Sequence, residues 1–261
     1  FFFKEDLKRP LDQFVPGLSG MIFHQRIGTV LDKIHRVRAL AHYLAEHVAE
    51  DNISVIERAA WLCKADLLTE MGGEFPSLQG IIGREYALLS GESREVADAI
   101  EEHYMPIRSG GRLPESLPGA LLSIADKIDT ICGTIAIGLK PSGTADPYGL
   151  RRLALGVLHI IEERSLSLSL KALIAETLHQ LGNQLSDISE ELTGEVITFF
   201  ERRFSYDLIA RGIEHDLIEA ATRVEFDDVQ DCVLRINALA SVRSRLEFGP
   251  LSIAFKRVMN I

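Results

Sequence analysis

Apolar side chains recur every three or four residues along nearly the whole chain, and this spacing constrains the fold more than any other feature. Val30, Ile34, Val37, Ala41 and Leu44 form one such series. Steps of three and four residues place side chains on one face of an α-helix, whereas a half-buried strand needs strict alternation. No segment alternates convincingly, so the sequence predicts an all-α chain.

Further segments with the helical period follow this first helix. They are 94–104, 118–137, 147–163, 168–181 and 187–204, with shorter amphipathic stretches at 206–211, 216–224 and 228–242. Ser54 and Glu57 are spaced like a capping box, Asp146 is placed like an N-cap, and Gly182 is placed like a left-handed helix stop. Residues 72–76 predict a turn, because two adjacent glycines and a proline oppose helix continuation.

Composition narrows the possible function classes. The 261 residues, 46% of them hydrophobic, suffice for one large core or two modest ones. No apolar run approaches the roughly 20 residues of a membrane span, so we expect a cytoplasmic protein without membrane contact. The formal net charge of −10 means that any RNA must bind a local basic patch. Cys63, Cys132 and Cys232 stand far apart, which predicts buried reduced thiols and no structural zinc site.

Four segments carry a resemblance to a known family. They are CKADLLTEMGGEFPSLQGIIGREY at 63–86, EVADAIEEHYMP at 95–106, LSIADKIDTICG at 122–133 and KPSGTADPYGLRRLALGVLHII at 140–161. In this order they resemble the beta subunit of the bacterial heterotetrameric glycyl-tRNA synthetase. AFKRVMNI at 254–261 fits the same family. Because members of that family are much longer, we expect this chain to be an excised fragment.

The resemblance implies ATP-dependent attachment of glycine to its tRNA, with glycine activated on a separate alpha subunit. This chain would help to position the tRNA and would itself need no cofactor, since ATP is used by the holoenzyme. The implied partners are glycine tRNA and the alpha subunit, and neither DNA nor a membrane is among them.

The resemblance also implies two helical domains. Residues 1–185 would form a helical domain similar to the HD phosphohydrolase superfamily. Residues 186–261 would form the start of a helical domain that resembles the anticodon-binding domain of several synthetases, on the patterns at 206–209, 233–239 and 256–261.

Members of the HD superfamily hold a divalent metal through a His, a His-Asp doublet and a distant Asp. Aligned on the apolar frame, this chain has Lys33 at the first position, Cys63 and Lys64 at the doublet, and Asp126 at the last. A protonated ammonium group repels a dication and has no lone pair to donate. The resemblance therefore predicts a degenerate site with no metal and no catalytic residue. A metal-dependent nucleotide phosphohydrolase and a purely structural helical module remain the alternative functions.

Lys33, Arg36 and Lys64 are the first group of candidate RNA contacts. They could hold an RNA phosphate where the metal would lie in an HD enzyme. Equally, the lysines could be solvated or paired with nearby carboxylates. The candidate partners are Asp66, Glu70 and Asp126.

Residues 140–152 supply the second group of candidate RNA contacts. This loop leads into a predicted helix N-terminus, where free backbone N–H groups favour an anion, and Lys140, Arg151 and Arg152 add positive charge. Asp146 would compete with an external phosphate for that N-terminus. A rigid capped turn, with both arginines paired to acidic neighbours, is the alternative. Arg84, in the first family segment, completes the candidate set.

Overall fold

The structure, a computed structural model, describes residues 1–182, 185, 190–245, 249–250, 253–254 and 258. Within these ranges the chain is mostly helical, which confirms the predicted class at the level of secondary structure. One short antiparallel hairpin corrects the all-α prediction. It consists of β1 (Ile22–His24) and β2 (Gly28–Thr29), with Ile22 opposite Thr29. Strands of three and two residues are too short to show a period of two in the sequence.

The α-helices include those predicted from the apolar spacing and three that were not predicted, Phe2–Asp6, Glu70–Glu74 and Ile81–Leu89. In chain order they are α1 (Phe2–Asp6), α2 (Val30–Val48), α3 (Ile53–Leu62), α4 (Glu70–Glu74), α5 (Ile81–Leu89), α6 (Arg94–Glu102), α7 (Leu117–Ala136), α8 (Leu150–Glu163), α9 (Leu170–Leu181), α10 (Glu190–Ala210), α11 (His215–Thr222) and α12 (Val229–Arg243). Short 3-10 helices connect several of them, at Leu11–Gly20, Glu50–Asn52, Ala65–Leu68 and Pro76–Leu78.

Most predicted helices are present with small displacements of their ends. The main difference is α10, which runs without a break through the separate stretch predicted at 206–211. The predicted start of this helix at residue 187 lies outside the described residues. The segment 255–257, which carries part of the family resemblance at 254–261, also lies outside the described residues.

Two predicted helix ends are wrong. α3 begins at Ile53 after Asn52, which makes no side-chain cap, so Ser54 lies inside the helix and forms no capping box. Gly182 has φ −57° and ψ −21°, which is right-handed rather than a left-handed stop. Capping patterns describe local preference only, and packing of the whole helix decides where it begins and ends.

The turn predicted at 72–76 is largely the short helix α4. The Thr69 side chain caps it by accepting a hydrogen bond from the Gly72 amide. The carboxylate of Asp6, far away in sequence, accepts from the amides of Glu70 and Met71 at 2.8 and 3.1 Å. These two bonds satisfy amide groups of the first turn that the local sequence leaves unpaired, so the helix forms despite its glycines.

Helix α7 lies at the centre of the fold. It packs against α2, α3, α6, α8, α9 and α10. Nearly every residue from Pro118 to Ile135 is buried, as expected for a helix that is apolar on all sides. Its buried polar side chains therefore mark the interior site. α10 packs against α7, α8 and α9, while the domain boundary at 185/186 falls beside residues outside the described set and stays a prediction.

Two expectations from composition can be compared with the structure. Cys63, Cys132 and Cys232 are all buried and free, which confirms the predicted reduced thiols. Among the described residues, none of the helices combines the length and the apolar character that a bilayer crossing requires.

Candidate functional site

The four residues at the degenerate HD positions lie together in the interior. Lys33 comes from α2, Cys63 and Lys64 follow α3, and Asp126 comes from α7. The Nζ atom of Lys33 lies 3.1 Å from Oδ1 of Asp126, and the Nζ atom of Lys64 lies 3.3 Å from Oδ2. One carboxylate thus bridges ammonium groups that are held by two other parts of the helical bundle.

Asp129, one turn further along α7, completes this ion-pair network and was not predicted from the sequence. It is fully buried. Lys33 donates to its Oδ2 at 3.0 Å, and Arg36 donates from Nε to Oδ1 at 2.6 Å and from Nη2 to Oδ2 at 3.2 Å. The spacing of three residues from Asp126, which puts both carboxylates on one helix face, was the signal that could have revealed it.

The cations of the network are almost inaccessible to solvent. Lys33, Arg36 and Lys64 are only 4%, 5% and 8% exposed. Buried charges are costly unless they are paired, and the pairing predicted as the alternative for the lysines is confirmed for Asp126. Asp66 has a different role, since it accepts a hydrogen bond from the Gly80 amide at 2.7 Å. A direct RNA contact by these three cations stays a prediction, and their burial argues for the internal role.

The charges of the network control the protonation of its members. Burial alone would raise the pKa of Asp126, but the nearby Lys33 and Lys64 outweigh it and hold that pKa well below its usual range. Burial, together with the charge of Lys64, lowers the pKa of His103 well below its ordinary value. The neutral imidazole donates from Nδ1 to the Ile100 carbonyl and accepts from Lys64 at Nε2, over 2.7 Å.

Lys127 is a further buried cation of α7. It donates to the carbonyls of His103 and Met105 at 3.1 and 2.8 Å, and to Oγ of Ser123 at 2.7 Å. Burial lowers the pKa of Lys127 to about 7. Its role is to satisfy backbone carbonyls that would otherwise be buried without a donor.

The residues at the degenerate HD positions do not fit a divalent metal. The ammonium groups of Lys33 and Lys64 lie 3.1 and 3.3 Å from the two oxygens of Asp126, so they would repel a dication bound there. In the part of the chain that the structure describes, no three histidine, cysteine or carboxylate side chains group together as a metal site requires.

The loop between α7 and α8 places the second group of candidates at the surface. Asp146 accepts hydrogen bonds from the amides of Leu150 and Arg151, both at 2.9 Å, so its carboxylate caps the first turn of α8. The prediction that Asp146 is itself the N-cap residue is wrong, because that position is Gly149. The helix itself begins three residues later than predicted, after Gly149, whose φ of 65° is left-handed. A carboxylate therefore already occupies this N-terminus, so an external phosphate must be held by the side chains instead.

The cations of this loop have different partners. Lys140 forms an ion pair with Glu195 of α10. Arg151 donates from Nη2 to the Gly143 carbonyl at 2.8 Å. Arg152 is exposed.

Arg84 is not part of either group. Its Nε lies 2.7 Å from Asp98 and 3.5 Å from Glu101, and its Nη1 lies 2.6 Å from Glu85. Three carboxylates thus compete with any RNA phosphate for this guanidinium, and its role as an RNA contact stays a prediction.

The structure adds Arg202 and Arg203 of α10 to the cations of the loop. Burial, then the charges of Arg151 and Arg202, lower the pKa of Arg203 below its ordinary value, although Tyr206 and Asp146 act in the opposite direction. Its guanidinium lies 4.7 Å from the ring centre of Tyr206. The Arg-Arg doublet is visible in the sequence, but only the packing of α10 against α7 and α8 brings it to this loop.

Comparison with known proteins gives a consistent picture. The family model described as "Glycyl-tRNA synthetase beta subunit" matches residues 1–223. The chain is similar to proteins named glycine–tRNA ligase beta subunit, with 47% identity in Geotalea daltonii, 48% in Geobacter sulfurreducens and 45% in Syntrophus aciditrophicus. Each match covers 100% of this chain, and the chain spans 38% of the length of these curated relatives.

Proposed function

The chain belongs to the family of glycyl-tRNA synthetase beta subunits, and from that membership we propose that it is a tRNA-binding part of a cytoplasmic glycine–tRNA ligase. Glycine would be activated with ATP on a separate alpha subunit, and this chain would hold the tRNA in position for glycylation. The name of the relatives, glycine–tRNA ligase beta subunit, supports the reaction.

The observation that carries the binding role is the group of cations around the loop between α7 and α8. We call it the loop patch, and it consists of Lys140, Arg151, Arg152, Arg202 and Arg203. It is a local concentration of positive charge on a chain with a formal net charge of −10. Arginine and lysine contacts to phosphates supply most of the affinity of proteins for nucleic acids and set their orientation.

The buried ion-pair network supports the same proposal from the inside. Its carboxylates, on α7, bind Lys33 and Arg36 of α2 and also Lys64, which lies two residues after the end of α3. Charge-assisted hydrogen bonds are stronger than neutral ones, so the network fixes α7, from which the surface loop leads to α8. Such a chain suits the recognition of a large rigid ligand such as a folded tRNA.

The test is a filter-binding titration of glycine tRNA against the ligase containing both subunits, repeated over a range of salt concentrations. Arg151→Gln combined with Arg203→Gln should lower the affinity about ten-fold and reduce the magnitude of the salt slope by about 2. The matched control removes two surface cations elsewhere, with Arg94→Gln and Arg112→Gln, whose side chains are 80% and 60% exposed. Equal effects of the two double variants, or none from the first, would remove the loop patch from the interface.

A further inference from the structure

A groove of about 330 Å³ lies between the start of the α7–α8 loop and helix α10. Its apolar walls are Ile135, Pro141 and Phe199. The polar groups around it are Lys140, Glu195, Thr198 and Arg202. A concave apolar surface with a few convergent polar groups is the usual form of a site for a small ring-bearing ligand.

The groove continues along one face of α10. Glu195, Phe199 and Arg202 follow each other on α10 at steps of four and three residues, and Tyr206 comes four residues later. Thr198 lies beside Phe199. Tyr206 is 62% exposed. An exposed aromatic ring next to arginine side chains is a platform on which an unpaired base can stack.

The charges around the groove favour an anion beside an uncharged ring. Arg202 lines the groove, and Arg203, next to it on α10, interacts electrostatically with Arg202, Arg151 and Asp146. Glu195 is paired with Lys140 and repels a phosphate, but its carboxylate can accept a hydrogen bond from a base N–H or a ribose hydroxyl.

The size of the groove decides between forms of RNA. It lies near the lower end of the range for small-ligand pockets, which is about 300–1,000 Å³. A double helix cannot enter such a space, whereas unpaired nucleotides can be turned out of their strand and stacked on protein side chains.

Resting on the proposed function, we infer that this groove binds one unpaired nucleotide of the tRNA. The base lies against Phe199 and Pro141, its phosphate contacts Arg202 and the neighbouring arginines, and Glu195 accepts from the base or from the ribose 2′-hydroxyl. The loop patch then does more than attract a phosphate backbone. It distinguishes an unpaired ribonucleotide from a paired one and from DNA.

Filling the groove tests this inference directly. Thr198 is exposed, so Thr198→Trp places a bulky side chain in the groove without disturbing the core. Ser241→Trp is the matched control, since Ser241 is also an exposed small polar residue, on α12. Circular dichroism checks that both variants fold. The probes are a short single-stranded RNA from an unpaired tRNA region, its DNA counterpart and a fully paired RNA duplex, each competing with labelled glycine tRNA for the two-subunit ligase.

We expect Thr198→Trp to lower the affinity for the single-stranded RNA about ten-fold, while duplex affinity stays within about twofold. The parent ligase should prefer this RNA to the DNA, and Ser241→Trp should match the parent. Normal tRNA binding with no effect of Thr198→Trp would overturn the groove inference and leave the proposed function standing. If the Thr198→Trp variant lost the alpha subunit on purification, the groove inference would be overturned, because the groove would then be an interface with that subunit. Failure of the parent ligase to bind tRNA would overturn both.

Discussion

Removal of the Asp129 charge should cost more stability than any other single change in the buried network. Asp129 is fully buried and accepts three hydrogen bonds from Lys33 and Arg36. Asp129→Asn keeps the size of the side chain but removes the charge that compensates two buried cations. Breaking one buried ion pair in this way costs about 3–5 kcal/mol. Because two cations share this carboxylate, we expect about 5 kcal/mol, measured by urea denaturation followed by circular dichroism.

Asp98→Asn is the matched control for this measurement. Asp98 pairs with Arg84 and Arg94 at the surface, where its side chain is 33% exposed. Solvent screens such pairs, so the free energy of unfolding should fall by no more than about 1 kcal/mol. If Asp129→Asn loses as little as this control, the reasoning from burial is refuted.

A double variant shows whether the loss of stability comes from an unpaired buried charge or from the changed shape of the side chains. Arg36→Met combined with Asp129→Leu removes the arginine–carboxylate pair together and leaves Lys33 paired with Asp126. Replacing a buried ion pair by apolar side chains of similar volume is often neutral or stabilising. The double variant should therefore be more stable than Asp129→Asn, and a lower stability would show that shape, not charge, sets the cost.

Three further predictions follow from burial and backbone geometry. Burial lowers the pKa of Lys127 to about 7 from an ordinary 10.5. As the pH rises, the folded chain therefore loses this proton at a lower pH than the unfolded chain does. The free energy of unfolding should then increase above about pH 7, by at most about 1.4 kcal/mol per pH unit. Urea titrations should show a flatter rise for Lys127→Met, and an unchanged slope would contradict the assignment. Gly80 and Gly91 have φ of 81° and 89°, but only at Gly80 would a new Cβ lie 2.7 Å from Tyr104. Gly80→Ala should thus lower the melting temperature further than Gly91→Ala, which carries only the backbone strain of about 1–2 kcal/mol. An equal fall in melting temperature for both variants would show that the contact with the Tyr104 ring adds no cost. Burial raises the pKa of Cys63 to about 12, so a thiol reagent should leave it almost unlabelled in the native chain and label it quickly in urea. Mass spectrometry measures the labelling, and rapid labelling of the native chain would contradict the buried position.

Much of the fold could be predicted from the spacing of apolar residues. The period of α2 marks the face that must leave water, and burial of that face is the main driving force for the helix. The hairpin β1–β2 and the short helix α4 could not be predicted in this way. They are too short for a periodic pattern, and α4 depends on hydrogen bonds from the distant Asp6.

The candidate site was predictable only in part. The family resemblance anticipated that Lys33, Cys63, Lys64 and Asp126 would lie together, and they do. Spacing within one helix shows which side chains share a face, but not which face of another helix lies opposite. For that reason the sequence did not reveal Asp129 as the partner of Arg36.

The sequence by itself determined the helical elements and the family to which the chain belongs, because periodic burial and residue identity are both encoded locally. Only the tertiary structure decided which cations are internal and which face solvent. Lys33 and Lys140 are the same residue type, yet Lys33 meets the carboxylates of Asp126 and Asp129 in the interior, while Lys140 lies at a surface groove. The function of an ammonium group depends on its partners and on the dielectric around it, and both are set by how α7 packs against its neighbours.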